Sequence, residues 1–495
     1  MINEMENGYI TVPLYERSFG TEVTGDFTLP DYQNEIRRIL HVTPTVLPPA
    51  KYVSDSSVEF NGTVDYQVIY VGGDGGVYSV PLSSDYSFSV PLEKVSSADT
   101  GSSTQVLCSV YSENVSTRVS SPRRLNIRCR LRPNVRIYGT VSASSDAFGD
   151  ADAGSMQRRT CRCESLHCES ATSDVISVSC SVPTEHDDIR VCYVDSTVKI
   201  DDISSNESGV RCTGEVCIAL TCVREESGEL LTLEGQAPFE GEVDMEGVSA
   251  DCEIRVRGTV SETSVSVGET GIECAMGIIL EAAAYKNGTV EYTDDVYSTD
   301  TECECFTRSV SARELLACVN SNFTLSERIP LASLSVPEGA QIIGAIPNVC
   351  MDKCSLVAGK YVFVGNAVFC VIYENDGDVW TCDVSVPVRF ECDARGGEPV
   401  AFDAAVRADS VRLKVADGNL CVDAEMNIVA DCFGENVISC VDRVSLGEAF
   451  GDRESEIVVC YPLPDDTVWS IAKRYRVAPC SVCGDPKTDK YILID

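Results

Sequence analysis

Apolar residues recur at every second position in three separate stretches of this chain. These are Val58–Tyr70 (VEFNGTVDYQVIY), Val210–Cys222 (VRCTGEVCIALTC) and Tyr361–Tyr373 (YVFVGNAVFCVIY). A period of two is the signature of a strand with one face buried and the other wet. Aligning Gly62, Gly214 and Gly365 sets the three in register, at spacings of 152 and 151 residues. Phe60, Cys212 and Phe363 then share one slot, and Tyr70, Cys222 and Tyr373 another. A glycine inside a strand points to a bulge or a close backbone approach. Turn-like runs follow, Gly72–Gly76 before Val77–Leu82 and Glu374–Asp378 before Val379–Val388. They predict hairpins. A period near 150 residues is far too long for a solenoid and predicts tandem globular domains, over 1–150, 151–300 and 301–450.

The pattern changes near the C-terminus. Val468, Ile471, Ala472 and Tyr475 stand at i, i+3, i+4 and i+7, one face of a helix. Asp466 or Thr467 can cap its start, and Lys473, Arg474 and Arg476 sit where the helix dipole favours cations. Pro479 blocks simple continuation. A short apolar strand precedes the helix, and Tyr491–Asp495 alternates like another. Residues 454–495 thus read as a small α+β unit behind a mainly β body.

Composition narrows the function. The formal net charge is −38, which argues against nucleic acid and anionic membranes as general partners. The stretch Arg453–Asp495 holds six basic and seven acidic residues, so nearly all the negative charge lies on the rest of the chain. Met1–Gly20 has no apolar run of signal-peptide length, and the most apolar stretch, Gly277–Tyr285, is broken by Glu281. The expectation is a cytosolic protein without a membrane span. Its 26 cysteines are many for that compartment. Only Cys480/Cys483 form a C-x-x-C, with no second pair at zinc-ribbon distance. Cys161, Cys163, His167 and Cys168 lack the regular spacing of a structural metal site. Oxidative cross-linking of the cysteines late in the protein's life is a further reading.

The sequence offers no catalytic constellation, metal site or cofactor motif. His41, His167 and His186 lack the partner patterns of a triad or a metal site. The cluster Glu185–Asp188 reads as a surface turn. Six arginines crowd Arg123–Arg136, where Leu125, Ile127, Cys129 and Leu131 alternate with Asn126, Arg128, Arg130 and Arg132. Two readings stand for this row: a solvated face paired with nearby carboxylates, or a contact for an acidic surface.

Two motifs resemble known families. Asp466–Tyr475 (DTVWSIAKRY) resembles the signature of LysM, a small βααβ module that binds N-acetylglucosamine polymers or, in a few proteins, other proteins. Phe27–Leu40 (FTLPDYQNEIRRIL) resembles the SPOCS motif of spore coat and envelope proteins. Phe323–Leu331 is a weaker echo, and Ser121–Leu125 is similar to that family's closing segment. The second repeat lacks a clear version of the motif. Tandem SPOCS domains with a C-terminal LysM resemble the SipL-type spore morphogenetic proteins.

That resemblance implies a non-enzymatic scaffold on the mother-cell side of the forespore, binding the coat-basement ATPase through its LysM-like tail. Carried onto this chain, the contact residues are Asp465, Asp466, Thr467 and Trp469, with Lys473 and Arg474 beside them. Trp469 has a plainer reading as cover for the unit's surface. The alternative function is binding of peptidoglycan or N-acetylglucosamine. The sequence departs from glycan-binding LysM at Asp465, where glycine is usual, and at Cys480–Asp485, which replaces an acidic helix.

Overall fold

A computed structural model describes residues 9–92, 104–142, 155–451 and 458–494, apart from 187, 207, 269–270, 335 and 338. The first repeat runs through β1 (Tyr9–Ser18), β2 (Thr21–Thr28), β3 (Ile36–Val46), β4 (Ala50–Val53), β5 (Ser57–Gly72), β6 (Val77–Pro91), β7 (Gln105–Ser121) and β8 (Arg124–Ser142). The second has β9 (Met156–Thr172), β10 (Ile176–Pro183), β11 (Ile189–Asn206), β12 (Gly209–Arg224), β13 (Leu230–Asp244), β14 (Glu253–Val267) and β15 (Gly271–Ser298). The third comprises β16 (Thr301–Pro330), the one-turn helix α1 (Leu331–Leu334), β17 (Gln341–Val357), β18 (Lys360–Asn375), β19 (Asp378–Asp393), β20 (Ala401–Ala416) and β21 (Asn419–Ala449). The tail adds β22 (Val458–Cys460), α2 (Val468–Tyr475), β23 (Val482–Cys483) and β24 (Ile492–Ile494). The expected border at 150/151 lies outside the described residues.

One antiparallel topology recurs three times. The last strand of each repeat is the spine of a long-stranded sheet: β8 pairs with β1, β2 and β7, β15 with β9, β10 and β14, and β21 with β16 and β20. Between the outgoing and returning strands the chain inserts a second sheet, centred on β5, β12 or β18. Those centres are the three glycine-containing segments. Alternation there does what the sequence predicts: Phe60, Phe363, Tyr70 and Cys222 are fully buried. A Cβ on Gly214 or Gly365 would lie 2.0 Å from the carbonyl oxygen of Lys199 or Cys350. The neighbouring strand slips register beside each, between Ile200 and Asp202 and between Met351 and Lys353. In the first repeat the same edge divides into β3 and β4 opposite Gly62. The mid-strand glycine therefore marks both a bulge and a close approach.

The two SPOCS-like segments of the first repeat meet. The Arg123 guanidinium donates to the carbonyls of Pro30 (2.6 Å) and Gln33 (3.2 Å), and the Ile36 amide donates to Pro122 O (2.7 Å). This clasp holds the crossover from one sheet to the other against the β7–β8 hairpin tip. In the third repeat the Leu331 amide donates to Gly418 O at the β20–β21 tip (3.0 Å).

Each repeat buries an apolar core between its two sheets, around Tyr66 and Ile127, Ile218 and Ile278, or Phe369 and Ile428. Further cores join the repeats. Ile69, Cys192 and Ile372 meet through the inserted sheets, while Tyr138, Tyr285 and Phe433 meet through the spines. Beside the second of these lies a buried charge centre. Asp403 is fully buried and accepts from Arg136 (3.0 Å), Arg255 (2.8 Å), Arg257 (3.2 Å), Ser109 (2.7 Å) and Tyr111 (2.7 Å). Asp431 accepts from Arg255 (2.6 Å) and from the Tyr285 hydroxyl (2.7 Å). The donors come from the first and second repeats, and both carboxylates from the third. Burial alone would raise the Asp403 pKa, but the guanidiniums of Arg257, Arg136 and Arg255, with the Tyr111 hydroxyl, hold it well below the usual carboxylate range.

Asp403→Ala would leave three buried guanidiniums short of a counter-charge. The expected loss is about 3–5 kcal/mol, read from the denaturant midpoint. Because the folded-state pKa of Asp403 is depressed, its contribution is present above the unfolded value of about 3.9 and drains as pH falls below it. Acid unfolding of the wild type should therefore be steeper below about pH 4 than that of Asp403→Asn, monitored by circular dichroism.

Candidate functional site

The tail folds around the helical stripe. Ile471 and Ala472 are fully buried, with Val468 and Tyr475 packed partly buried against them. Thr467 is the N-cap. Its hydroxyl accepts from the Ser470 amide (3.1 Å), and the Ser470 hydroxyl accepts from the Thr467 amide (2.9 Å). Such a reciprocal box satisfies two orphan donors of the first turn. Arg476 ends the helix in the left-handed region at φ +57°. The strands form a small antiparallel sheet in the order β22–β24–β23.

The expected βααβ arrangement is not what forms. Pro479–Ser481 makes a single 3-10 turn where a second helix was expected, and β23 follows directly. Pro479 supplies no amide donor, and Cys480, Ser481, Val482 and Cys483 are weak helix formers. Gly484, at φ +129°, ends the stretch.

Of the six residues implied by the LysM resemblance, five are engaged within the chain. Asp466 is buried and accepts from the Leu463 amide (2.9 Å), the Ser470 hydroxyl (3.1 Å) and the Arg474 guanidinium (2.5 and 3.1 Å). The Arg474 contact, followed by the Leu463 amide, lowers its pKa. Thr467 caps the helix as described. Trp469 donates through Nε1 to Asp295 Oδ2 (2.8 Å), and Lys473 Nζ reaches Asp295 Oδ1 (2.5 Å). Asp465 is exposed on the strand–helix loop.

Nothing in the sequence singles out Asp295, one acid among 77 acidic residues. It lies on β15 at a register slip against β9, between Thr293 and Asp295. A bulge of this kind re-aims a side chain. Two residues on, the Tyr297 ring meets Trp469 edge-on at 4.9 Å, and its hydroxyl donates to Val477 O (2.6 Å). Arg476 lies 3.6 Å over the Phe450 ring, a further tie between tail and body. Burial would raise the Asp295 pKa, but hydrogen bonds from Lys473 and Trp469 keep it below the ordinary value. The other side of the tail is open: Val459, Tyr461, Leu463, Tyr491 and Leu493 are exposed.

The other sequence candidates resolve into structure. Arg128 pairs with Glu22, Arg130 with Glu113, and Arg132 with Glu113 and Asp352. The arginine row is thus a largely solvated face with local acids, and Arg132 also ties the first repeat to the third. Arg136, at its end, belongs to the buried centre. Among the described residues, no group of three or more His, Cys, Asp and Glu side chains is placed to hold a metal. Asp187 of the Glu185–Asp188 cluster lies outside the described residues. All 26 cysteines are thiols, with Cys480 and Cys483 exposed and Cys354 and Cys432 in contact at 3.6 Å. Among the described residues, no helix is long and apolar enough to cross a membrane.

Residues 189–268 match the family model for the SipL SPOCS domain. No curated protein matches, and no solved structure matches. The matched stretch spans β11–β14, in the repeat that lacks a clear version of the Phe27–Leu40 motif. It contains the glycine-centred strand common to all three repeats.

Asp466→Ala removes the acceptor shared by the Leu463 amide, Ser470 and Arg474. We expect α2 to lose about 1–3 kcal/mol of local stability, read as faster hydrogen exchange at Ile471 and Ala472 with exchange in β5 and β18 unchanged.

Proposed function

We propose that this protein is a non-enzymatic scaffold of bacterial spore-envelope assembly. Its body comprises three SPOCS-like domains, over 1–150, 151–300 and 301–450, and its LysM-like tail, residues 454–495, takes a protein partner. The observation that carries this reading is the SipL SPOCS match at 189–268. The recurrence of the same two-sheet topology on either side of that stretch supports it. The partner we assign is the coat-basement ATPase, and the location is the mother-cell face of the forespore. A scaffold suits a chain whose polar clusters are engaged in holding repeats together.

The glycan reading has less to stand on. Glycan-binding LysM modules use the loop before the first helix and a second helical segment as the two walls of a groove. Here the second wall is the three-residue turn Pro479–Ser481. Trp469 and Lys473, on the first wall, are committed to Asp295.

Two measurements test the proposal. The full chain, immobilised, should capture the purified coat-basement ATPase, and the chain lacking residues 454–495 should lose at least about tenfold in affinity. Equal capture by both would remove the tail from the interface. Binding of the full chain to chitin oligomers or peptidoglycan, with none to the ATPase, would favour the glycan reading.

A further inference from the structure

The flank of α2 that carries Trp469 and Lys473 is partly covered by a strand end from the second repeat, with Trp469 half-buried and Lys473 still exposed beside it. Asp295, Val296 and Tyr297 are extended, so Asp295 and Tyr297 project to the same side while Val296 turns into a different cluster with Met156 and Val441. On the tail side each feature of this segment has a matched receiver. The indole N–H and the ammonium converge on the two oxygens of one carboxylate, at 2.8 and 2.5 Å. The Tyr297 ring enters the tail's own core beside Ile471 and Val477 and is only 4% exposed. Its hydroxyl reaches the carbonyl that follows the helix. The tail thus binds an acidic residue and a tyrosine two positions apart on an extended chain. The segment's backbone pairs with β9, and its hydrogen bonds to the tail run through the Asp295 and Tyr297 side chains, so the tail reads those two groups and their spacing.

We infer that this face of the tail is a docking surface for an extended Asp/Glu-x-Tyr segment of a protein partner, and that Asp295-Val296-Tyr297 occupies it within the chain until such a segment displaces it. The inference deepens the proposed function, and rests on it for the claim that the tail meets a protein. Exchange of one carboxylate–tyrosine pair for another conserves the contacts, so it is near balance in chemistry. The internal segment has the advantage of proximity. The partner must therefore supply contacts beyond these two residues, and the exposed Asp465 loop lies beside the same helix start.

The test uses the full chain and a fluorescein-labelled peptide of residues 291–298 (EYTDDVYS), followed by anisotropy. Vacating the site with Asp295→Ala and Tyr297→Ala should tighten peptide binding by roughly tenfold or more relative to the wild type. Adding Trp469→Ala should abolish it, and a peptide with alanine at both matched positions should not bind. Equal binding by the wild type and the vacated chain, or binding indifferent to Trp469→Ala, overturns the inference. Where the double alanine variant unfolds the tail, Asp295→Ala alone replaces it and frees the indole and ammonium donors. In a Trp380→Phe background, Trp469 emission reports whether the helix face is vacated. Capture of the coat-basement ATPase that needs residues 454–495, without peptide binding, sinks this inference and leaves the proposed function. Peptide binding without capture does the reverse.

Discussion

Asp403 is a carboxylate in the third repeat surrounded by guanidiniums from the other two, Arg136 from one and Arg255 and Arg257 from the other. Removing such groups from water costs several kcal/mol per ion, and the return comes only when all of them meet. The cluster is therefore less a source of stability than a condition on packing. A repeat that rotated or slid against its neighbours would leave buried charge alone. Apolar contacts between repeats, such as Tyr138, Tyr285 and Phe433, are non-directional; the bonds of the carboxylate to three arginines are directional. The body then acts as one frame whose far strand ends, including Asp295, have fixed positions.

Within that frame each repeat solves the same local problem. A long strand returns beside the strands that led out, and a second sheet is inserted between. The middle strand of the inserted sheet needs a glycine because the neighbouring strand bulges into it, bringing a carbonyl oxygen to where a Cβ would stand at Gly214 and Gly365. This geometric demand survives while the surrounding side chains vary from Phe60 to Cys212 to Phe363. It also explains why the second repeat keeps the fold without a clear copy of the Phe27–Leu40 motif. The motif belongs to the crossover clasp, and the glycine to the sheet.

The tail attaches to the frame through a small number of directional contacts. Its helix start is well capped and its core is its own, apart from one side chain, Tyr297, lent by the second repeat. A surface that a resemblance marks as a partner site is, in this chain, already largely engaged. Of its six residues, Asp466, Thr467 and Arg474 build the loop and helix, Trp469 and Lys473 hold Asp295, and Asp465 is exposed. Function and architecture thus meet in one helix face.

The sequence by itself determined the elements that rest on short-range periodicity. Alternation at Val58–Tyr70, Val210–Cys222 and Tyr361–Tyr373 fixed three central strands, because adjacent side chains on an extended chain must face opposite ways. The i, i+3, i+4, i+7 stripe and Thr467 fixed α2 for the equivalent helical reason. The second tail helix was expected from the resemblance, although its residues disfavour it. Only the tertiary structure decided where charges ended. Arg136 closes a row that looks uniformly solvated, yet it is buried while Arg128 and Arg130 remain in water; a two-residue period carries no information about what packs against a face. Nor does it reveal which of many acids meets Trp469 and Lys473. Asp295 and the tail helix start are 174 residues apart in the chain, and a bulge in one strand joins them. Local patterns follow from backbone geometry, whereas ion pairing depends on which surfaces the whole fold removes from water.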